Sequence, residues 1–338
     1  MMKAHKKRKF IIRWWVWFIL ILGGVLLMMI AYKLLQSERP DPITTIQTYY
    51  ETEAGLLRIY PDRDEFLSES MGQYLIYLET VENQVLFEQA YQSMKSHFVE
   101  QSFIKWRTTD TTVDAIVDSF RVIEALKRAA TTFNQPIYLE EASNYQAALK
   151  EAHYQNGFYV DFYDWYYEDL PPTVHLSYQN IPILTDMGAD LTNYNRLFSK
   201  AESDPFFNEI YNVETKSFEQ KETIHLVDQL LIALNYVKLT NQPPDAFHRW
   251  ITAEYKNSDQ LSGQYDRQTK TAVVDYESMA VNGLFLEYLL LTDETSLAKD
   301  VYKKLDRQIR EVHEKNYEGV HIFDYLMAVQ AVVDYEGR

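Results

Sequence analysis

Carboxylates are the residues of this sequence that are most able to do chemistry, and candidates occur at four places, two of which also contain aromatic residues. These are Glu69; Asp114 with Asp118; Asp161 and Asp164 in the stretch FYVDFYDW, 158–165; and Asp275 with Tyr276 and Glu277. Hydrolysis of a glycosidic bond uses two carboxyl groups, one as the acid on the leaving oxygen and one as the base that activates water. Neighbouring aromatic faces would stack on sugar rings. The pattern suits this chemistry if folding brings the four places together.

Each of these acids also has a purely structural explanation. Acids in the first turn of a helix are stabilised by the helix dipole whatever their function. Glu69 points away from the apolar stripe of its predicted helix. Asp114 and Asp118 could form an exposed ion pair with Arg121. The 26 tyrosines and 17 phenylalanines mostly fill a core in such a chain. The carboxylates alone therefore leave the assignment open.

Several other chemistries lack the residues that they require. Cysteine is absent, which removes thiol nucleophiles, disulfides and thiolate metal sites. The histidines form no HExxH pattern, and the sequence has no glycine-rich phosphate loop, no GxSxG elbow and no DxDxDG calcium loop. We therefore expect neither a metal ion nor another cofactor.

The charge of the chain is divided between a basic start and an acidic body. The formal net charge is −16, but the first 35 residues carry seven basic residues and no acid. The remainder holds 26 basic and 49 acidic residues, a net charge of −23. Nucleic-acid binding needs lysine and arginine to replace the phosphate counterions. The body is therefore a poor candidate for nucleic-acid binding.

The apolar stretch 14–32 predicts a transmembrane helix. Its 19 uncharged residues span roughly 28 Å as a helix, about the thickness of a bilayer core. Six positive charges precede it and one follows, so the N-terminus should stay in the cytoplasm. We divide the chain into a basic stub (1–13), a transmembrane signal-anchor (14–35), a linker (36–42) and a catalytic domain (43–338). A cleaved signal peptide is the alternative.

Apolar residues at a spacing of three to four predict that the body is all-α, with about twelve helices. The predicted helices are 43–53, 67–80, 82–99, 112–130, 139–153, 173–188, 190–201, 221–240, 243–256, 276–292, 294–313 and 321–335. The connections between them alternate in length. Long ones are 54–66, 102–111, 154–172, 202–220 and 257–275, and short ones lie near 81, 131–138, 189, 241–242 and 293.

This alternation predicts how the helices are arranged. In an up-and-down array, alternate connections lie at the same end, so all long loops would gather at one end of the domain. Functional groups favour such loops on a rigid scaffold. Twelve helices in this pattern fit six helical hairpins closed into an (α/α)6 barrel. An α-solenoid is the structural alternative, although no repeat of fixed period is present.

At these residues the sequence resembles glycoside hydrolase family 8, in particular its membrane-anchored or secreted members from Gram-positive exopolysaccharide loci. The resemblance covers most of the body, about residues 43–335. The segment SESMG, 68–72, is similar to the family's SE-G-MG segment, which holds the general acid, and this implies that role for Glu69. Trp106 and the following helix are similar to a family segment whose aspartate lines the cleaved-sugar subsite. Asp118 matches that aspartate best, and Asp114 is the alternative.

Two further segments carry the resemblance, and one of them departs from the family pattern. The segment HLSY, 175–178, is similar to the family's SY segment at the start of a barrel helix. The segment DYES, 275–278, falls where many members have a Tyr-Asp pair whose aspartate is the base. Glu277 is one methylene longer than that aspartate. Either Glu277 is the base with a shifted backbone, or Asp275 or a third-loop acid takes the role, or the base is lost.

The resemblance implies an (α/α)6 barrel, an inverting mechanism and β-linked polysaccharide substrates. We expect an endo-acting glycoside hydrolase that is anchored in the cell membrane and cuts an exopolysaccharide or cell-envelope glycan outside it. Glu69 would be the acid, Glu277 the base, and Asp118 would hold the sugar at the cleavage point. The residues expected to bind substrate are Trp106, Asp114, Asp161, Phe162, Tyr163, Asp164, Trp165, Tyr178 and Tyr276.

Two other hypotheses stay open. The chain could be a catalytically inactive polysaccharide-binding or scaffold protein of an export or biofilm system, which the changed base residue motivates. It could also be a structural helical-repeat adaptor, which predicts a long-loop end without an acidic cleft. Under the first expectation, the partners are the polysaccharide, the cytoplasmic membrane and proteins of exopolysaccharide synthesis or export.

Overall fold

The structure, a computed structural model of the chain, describes residue 23 and the ranges 39–109 and 111–338. By its internal contacts the chain divides into residues 1–40 and residues 41–338. The fold described below is that of the second unit.

The predicted stub 1–13 lies outside the described residues, as does the predicted membrane segment 14–32 apart from Gly23. Among the residues that the structure does describe, no helix is both long enough and apolar enough to cross a membrane. The membrane anchor therefore stays a prediction from the sequence.

Twelve α-helices follow one another in the described part of the chain, which confirms the expected number. They are α1 (Pro42–Tyr49), α2 (Ser68–Thr80), α3 (Gln84–Phe98), α4 (Ile116–Thr132), α5 (Pro136–Ala152), α6 (Ile181–Asp186), α7 (Leu191–Ala201), α8 (Leu226–Thr240), α9 (Asp245–Ser258), α10 (Met279–Leu291), α11 (Thr295–Glu314) and α12 (Ile322–Glu336). A 3-10 turn, Leu176–Tyr178, precedes α6.

Local sequence signals fix where several of these helices begin and end. Asp41 and Asn83 cap α1 and α3, because their side-chain oxygens accept a backbone N–H of the first turn. Asn241 and Asp259 end α8 and α9 in the left-handed region, at φ of 56° and 53°. The left-handed residue Asn241 stops α8 just before the short turn into α9.

The inner elements form a closed ring. In order around it they are α2, α4, the 3-10 turn with α6, α8, α10 and α12, and α12 packs back against α2. The other helices lie outside this ring. Helix α10 is buried on all sides, whereas α11 buries mainly a stripe that includes Leu297, Val301, Leu305 and Ile309. A helix that is apolar all round must be covered all round, and an amphipathic one can face water. The arrangement is that of an (α/α)6 barrel.

Short strands in the connections are a feature that the all-α prediction did not include. They are β1 (Arg58–Tyr60), β2 (Arg63–Phe66), β3 (Val99–Glu100), β4 (Phe103–Ile104), β5 (Val113–Ala115), β6 (Tyr154–Gln155), β7 (Phe158–Tyr159), β8 (Phe162–Asp164), β9 (Thr173–His175), β10 (Glu202–Ser203), β11 (Phe206–Phe207), β12 (Ile210–Asn212), β13 (Ser217–Phe218), β14 (Thr223–His225) and β15 (Gln264–Asp266). They pair into small sheets of two or three strands.

These strands lie in the long connections, which gather at one end of the barrel as predicted. Strands from different connections pair with one another there: β5 with β8, β9 with β12, and β14 with β15. We call this end, formed by connections 50–67, 99–115, 153–175, 202–225 and 259–278, the long-loop end. The inner helices α2, α4, α8 and α10 all begin at it.

One predicted helix, 173–188, is wrong over most of its length. Thr173–His175 is a strand, the 3-10 turn follows, and only Ile181–Asp186 is α-helical. Pro182 gives the physical reason, because proline has no backbone N–H and is tolerated in the first turn of a helix but not in its interior. Asn180 then caps the new start by accepting the backbone N–H of Ile183 at 3.1 Å.

The ring is closed by contacts between the first and last parts of the domain. The Thr45 and Tyr317 hydroxyls lie 3.1 Å apart, and Gln330 Nε2 donates to Thr80 Oγ1 at 3.0 Å. The Tyr50 hydroxyl donates to the carbonyl of residue 320 at 3.1 Å. Elements more than 200 residues apart in sequence therefore hold the barrel shut.

We expect Gly283→Ala to destabilise the fold by about 1–3 kcal/mol. A Cβ at Gly283 would lie 2.7 Å from the carbonyl oxygen of Met327, so α10 and α12 would have to move apart. Urea denaturation of the variant measures the effect. Gly337→Ala is the matched control, since its Cβ would meet only the Val333 carbonyl oxygen, at 3.4 Å. Equal stabilities of the two variants would contradict close packing at Gly283.

Candidate active site

A cleft of about 550 Å³ opens at the long-loop end. Its walls come from the first turns of inner helices and from the strands that precede them. Its polar residues are Glu69, Asp118, Arg121, Tyr178 and Asp228, and its other aromatic residues are Trp106, Phe162 and Phe323. A cleft of this size, with a few convergent polar groups among aromatic side chains, is typical of a ligand-binding site.

Three inner helices open with the same pattern, two apolar residues followed by an aspartate. The pattern is IVD at 116–118 in α4, LVD at 226–228 in α8 and IFD at 322–324 in α12. In each helix the aspartate lies in the first turn, where the helix dipole favours negative charge. Sequence reasoning missed Asp228, and this repeated pattern is the signal that could have found it.

Arg121 joins two of the residues predicted for the site. Its Nη1 donates to Asp118 Oδ1 at 2.9 Å and to Glu69 Oε1 at 3.3 Å. Ser68 Oγ donates to the other Asp118 oxygen at 2.9 Å, and Phe323 lies under the guanidinium at 5.5 Å from its ring centroid. The structure thus brings Glu69 and Asp118 together in one cleft, on neighbouring inner helices.

Asp118 is the buried member of this group. Burial raises the pKa of Asp118 to about 7; Arg121 opposes that rise and the negative charge of Glu69 adds to it. Because its oxygens accept hydrogen bonds from Ser68 and Arg121, the side chain is held in one orientation. Asp118 is thus fixed in place and changes its charge near neutral pH.

We expect Asp118→Asn to change how stability depends on pH. The raised pKa means that the folded protein binds this proton more tightly than the unfolded chain. The resulting stabilisation is present below pH 3.8 and is lost as the pH rises through 7. The variant cannot lose this contribution. Its free energy of unfolding should therefore rise relative to that of the wild type by up to about 1.4 kcal/mol per pH unit between pH 4 and 7.

Urea denaturation of both proteins at pH 5, 6, 7 and 8 measures this difference. Asp300→Asn, which changes an exposed side chain, is the matched control and should keep a constant offset from the wild type. A constant offset for Asp118→Asn as well would contradict the raised pKa.

Tyr178 is held in the cleft by a chain of contacts that begins at Asp161. Asp161 Oδ2 accepts from His175 Nδ1 at 2.7 Å, and the His175 ring stacks on the Tyr178 ring at 4.6 Å between centroids. Phe162 meets the same tyrosine edge-on at 6.2 Å. Burial raises the pKa of Tyr178, and the nearby carboxylates of the cleft, Asp228 foremost, add to the rise. The hydroxyl therefore stays protonated and can donate to a ligand.

Asp228 and Glu69 reach the cleft from opposite sides of the ring. Glu69 opens α2 and Asp228 opens α8, and these helices are three positions apart in a ring of six inner elements. Both side chains are half-buried. Within the described residues, no hydrogen bond or ion pair engages the Asp228 carboxylate. Its oxygens are therefore available to a water molecule or a sugar hydroxyl.

Glu277, the base predicted from the sequence, does not line the cleft. Its Oε1 lies 2.7 Å from Lys304 Nζ on the outer helix α11, and its Oε2 accepts from Gln308 Nε2 at 3.4 Å. Asp275 and Tyr276 line a separate surface cavity instead. The physical reason is that the Glu277 side chain is directed toward the outer helix α11 rather than the ring interior.

Three acids that were predicted to bind substrate are held by internal hydrogen bonds. Asp114 is fully buried and accepts from His153 Nε2 at 2.9 Å and from the backbone N–H of Tyr163 at 2.9 Å. Asp161 is also fully buried, with both oxygens on His175. Asp164 accepts two hydrogen bonds inside its own turn and a third from Thr112, the residue before β5. In this structure Asp114 and Asp161 therefore expose no oxygen to the cleft.

The pair formed by His153 and Asp114 is an ion pair inside the long-loop end. His153 Nδ1 faces the carbonyl oxygen of Val160 at 2.9 Å while Nε2 faces Asp114, so both ring nitrogens must donate. Burial alone would lower the pKa of His153, but Asp114 and the carbonyl raise it above its ordinary value. The pair joins β5 to the end of α5 and supports the wall of the cleft.

The predicted aromatic residues are divided between the cleft and its surroundings. Trp106 and Phe162 line the cleft. Trp165 instead stacks on Phe103 at 5.4 Å, and Tyr163 packs against the same phenylalanine at 5.3 Å. Tyr163 and Trp165 therefore support the β5–β8 sheet from outside the cleft.

A smaller cavity of about 160 Å³ continues from the cleft into the barrel interior. Three buried polar atoms of its lining residues have no hydrogen-bond partner among the described residues: Ser177 Oγ, Gln179 Oε1 and Gln330 Oε1. Buried atoms of this kind typically form hydrogen bonds with ordered water molecules. No group of three or more His, Cys, Asp or Glu in the described part of the chain could hold a metal ion.

Comparisons with known proteins agree with this fold. No protein-family profile matches the chain. The candidate lipoprotein YdaJ of Bacillus subtilis (strain 168) is 27% identical over 300 residues, which cover 82% of each chain. PssZ from Listeria monocytogenes superimposes with a TM-score of 0.80 at 28% identity, over 86% of this chain and 94% of PssZ.

More distant structures share the fold alone. A protein described as a novel alpha-amylase from Clostridium perfringens has a TM-score of 0.79 at 20% identity, over 89% of this chain and 99% of that chain. The endoglucanase Cel10, a family 8 glycosyl hydrolase from Klebsiella pneumoniae, has a TM-score of 0.60 at 14% identity, over 80% and 99%. The resemblance to glycoside hydrolase family 8 is therefore confirmed at the level of the fold.

Proposed function

We propose that the chain is an inverting, endo-acting glycoside hydrolase of an exopolysaccharide or cell-envelope glycan. The observation that carries the proposal is the pair Glu69 and Asp228, two half-buried carboxylates on opposite inner helices that face one cleft. Inverting enzymes need about 6.5–9.5 Å between their carboxyl groups, so that a water fits beside the sugar. Carboxylates that reach the cleft from opposite sides of the barrel leave space for this water molecule.

In the proposed reaction Glu69 protonates the glycosidic oxygen as the bond to the anomeric carbon breaks. Asp228 takes a proton from a water that attacks the same carbon from the other face, so the configuration inverts. Asp118 would hold a sugar hydroxyl at the cleavage point, and its own orientation is fixed by Ser68 and Arg121. The Tyr178 hydroxyl would donate a hydrogen bond to the bound ligand, next to the attacking water.

A β-linked glycan is the substrate class that we propose, on the resemblance to family 8. The name of one structural neighbour, Cel10, is that of an endoglucanase, which supports it. Another neighbour of the same fold is described as an alpha-amylase, so α-linked glucans belong in the test. The cleft lies at the rim of the barrel between loops, which suits cutting within a polymer chain.

The location that we propose is the outer face of the cytoplasmic membrane, with the segment 14–35 as the anchor and the N-terminus inside. The relative YdaJ, a candidate lipoprotein, supports a membrane-associated protein that faces outward. Bacterial lipoproteins carry their lipid on a cysteine, and this sequence has none. Anchoring would therefore depend on the apolar segment. Proteins of exopolysaccharide synthesis or export are the proposed partners there.

Release of reducing ends tests the proposed function. The probes are exopolysaccharide extracted from the organism that encodes the chain, mixed-linkage β-glucan and soluble starch. Proton NMR during the first minutes of digestion shows the anomer that is formed, and we expect inversion. Retention of configuration would contradict the roles given to Glu69 and Asp228. An absence of reducing ends from every probe would contradict hydrolysis.

One contact favours a second candidate, a polysaccharide-binding or scaffold protein without activity. Arg121 Nη1 lies 3.3 Å from Glu69 Oε1, so the carboxylate that was predicted to be the acid is already engaged in an ion pair within the protein. Affinity electrophoresis in gels that contain the extracted exopolysaccharide separates the two candidates. Retarded migration without release of reducing ends supports the second.

A further inference from the structure

Two exposed tyrosines stand on a turn next to the cleft. Tyr166 and Tyr167 are 71% and 74% exposed, and their rings meet edge-on with centroids 4.9 Å apart. Large aromatic side chains that remain this exposed often mark a binding surface. Neither ring takes part in the core or in the cleft.

The turn that carries these tyrosines is tightly held. Asp164 Oδ1 accepts from the backbone N–H groups of Tyr166 and Tyr167 at 3.0 and 3.2 Å and from Thr112 Oγ1 at 2.8 Å. Trp165 donates its backbone N–H to the Thr112 carbonyl at 3.1 Å, and its ring stacks on Phe103. The two rings are therefore presented by a fixed backbone.

A groove of about 660 Å³ runs beside the turn, and we call it the tyrosine groove. Its walls include the two tyrosines, the hydroxyls of Thr108, Thr111 and Thr112, and the charged side chains of Glu100 and Lys105. Hydroxyl and charged groups next to aromatic faces match the chemistry of a sugar, which presents hydroxyls at its edge and C–H groups on its faces.

The tyrosine groove is continuous with the cleft along one face of the β5–β8 sheet. Val113 lines both cavities. In this sheet Val113 pairs with Asp164 and Ala115 pairs with Phe162, so these four side chains lie on the same face. Phe162 lines the cleft and Asp164 lines the groove, two residues or about 7 Å farther along the strand.

We propose that the tyrosine groove binds sugar residues of the polymer beyond those that occupy the cleft, with Tyr166 and Tyr167 as the stacking surface. The inference rests on the proposed function and adds a specificity to it: the protein selects long glycan chains over short ones. A short oligosaccharide fills the cleft without reaching the turn, and a polymer contacts both.

The test compares the Tyr166→Ala/Tyr167→Ala double variant with the wild type on two probes. These are the extracted exopolysaccharide, intact, and the short fragments of its size-fractionated acid hydrolysate. We expect the ratio of kcat/KM on the polymer to kcat/KM on the fragments to fall about tenfold in the double variant. Tyr154→Ala, which removes another exposed tyrosine at the long-loop end, is the matched control and should leave that ratio unchanged.

The other outcomes decide against the proposal in different ways. An unchanged ratio overturns it, and so does an equal loss on both probes, which would indicate damage to the cleft. Circular dichroism of the double variant checks that it is folded. If the wild type releases no reducing ends, the proposed function fails separately, and affinity electrophoresis in the intact polymer still decides on the groove. Equal retardation of the wild type and the double variant would overturn polymer binding there.

Discussion

Glu69→Gln should abolish hydrolysis while leaving the polysaccharide bound. The amide keeps the size of the side chain and can still accept a hydrogen bond from Arg121, but it cannot give a proton to the leaving oxygen. Loss of a general acid lowers the rate by about 10²–10⁴-fold. Reducing-end release from the extracted exopolysaccharide measures the rate, and affinity electrophoresis in the same polymer measures binding.

Glu65→Gln is the matched control for this variant. Glu65 lies on β2, four residues before Glu69, and its side chain is exposed outside the cleft. We expect its activity to equal that of the wild type. Full activity of Glu69→Gln would remove Glu69 from the acid role, and loss of both activity and binding would show that the substitution damages the site as a whole.

Asp228→Asn should lower activity strongly, whereas Glu277→Gln should change it little. Asp228 faces the cleft and no protein group in the described residues engages it, so its loss should lower the rate by about 10²–10⁴-fold. Glu277 is paired with Lys304 away from the cleft, so Glu277→Gln should keep most of the activity and lose some stability. Initial rates and urea denaturation of both variants measure the two effects.

These two variants decide which residue is the base. A large loss of activity in Glu277→Gln without loss of fold would return the role to the residue that the family resemblance favours. Activity of Asp228→Asn close to that of the wild type would exclude Asp228. If both variants stay active, the water is activated by another group, and the proposed mechanism is wrong.

Much of the helical scaffold could be predicted from the sequence, because most of its helices are long and periodic. The predicted helix 190–201 differs by one residue from Leu191–Ala201, and the alternation of connection lengths already indicated a barrel with one functional end. The strands could not be predicted, since two or three residues carry no periodic signal. For this reason the predicted helix 221–240 includes the strand Thr223–His225.

The candidate site was predictable where a residue directly follows a long loop and opens an inner helix, as Glu69 and Asp118 do. Glu277 lies in such a position too, but sequence spacing does not show which way a side chain in an irregular segment points. Asp114 and Asp161 illustrate another limit. An acid beside aromatic residues looks the same in sequence whether it faces a sugar or, as here, a histidine of the same protein.

The contacts that close the ring between the first and last parts of the domain also constrain the order in which the domain can fold. The hydrogen bond from Gln330 to Thr80 spans 250 residues, and the contact of Thr45 with Tyr317 spans 272. Until α12 has been released from the ribosome or the secretion channel, the apolar side of α2 that it covers has no partner. Forming contacts between residues so far apart in sequence is also slow. A chain that leaves a ribosome or a secretion channel with its N-terminus first cannot complete the ring until its last helix is free. Incomplete chains would therefore expose apolar surface that chaperones and proteases recognise, so only the full-length domain would persist.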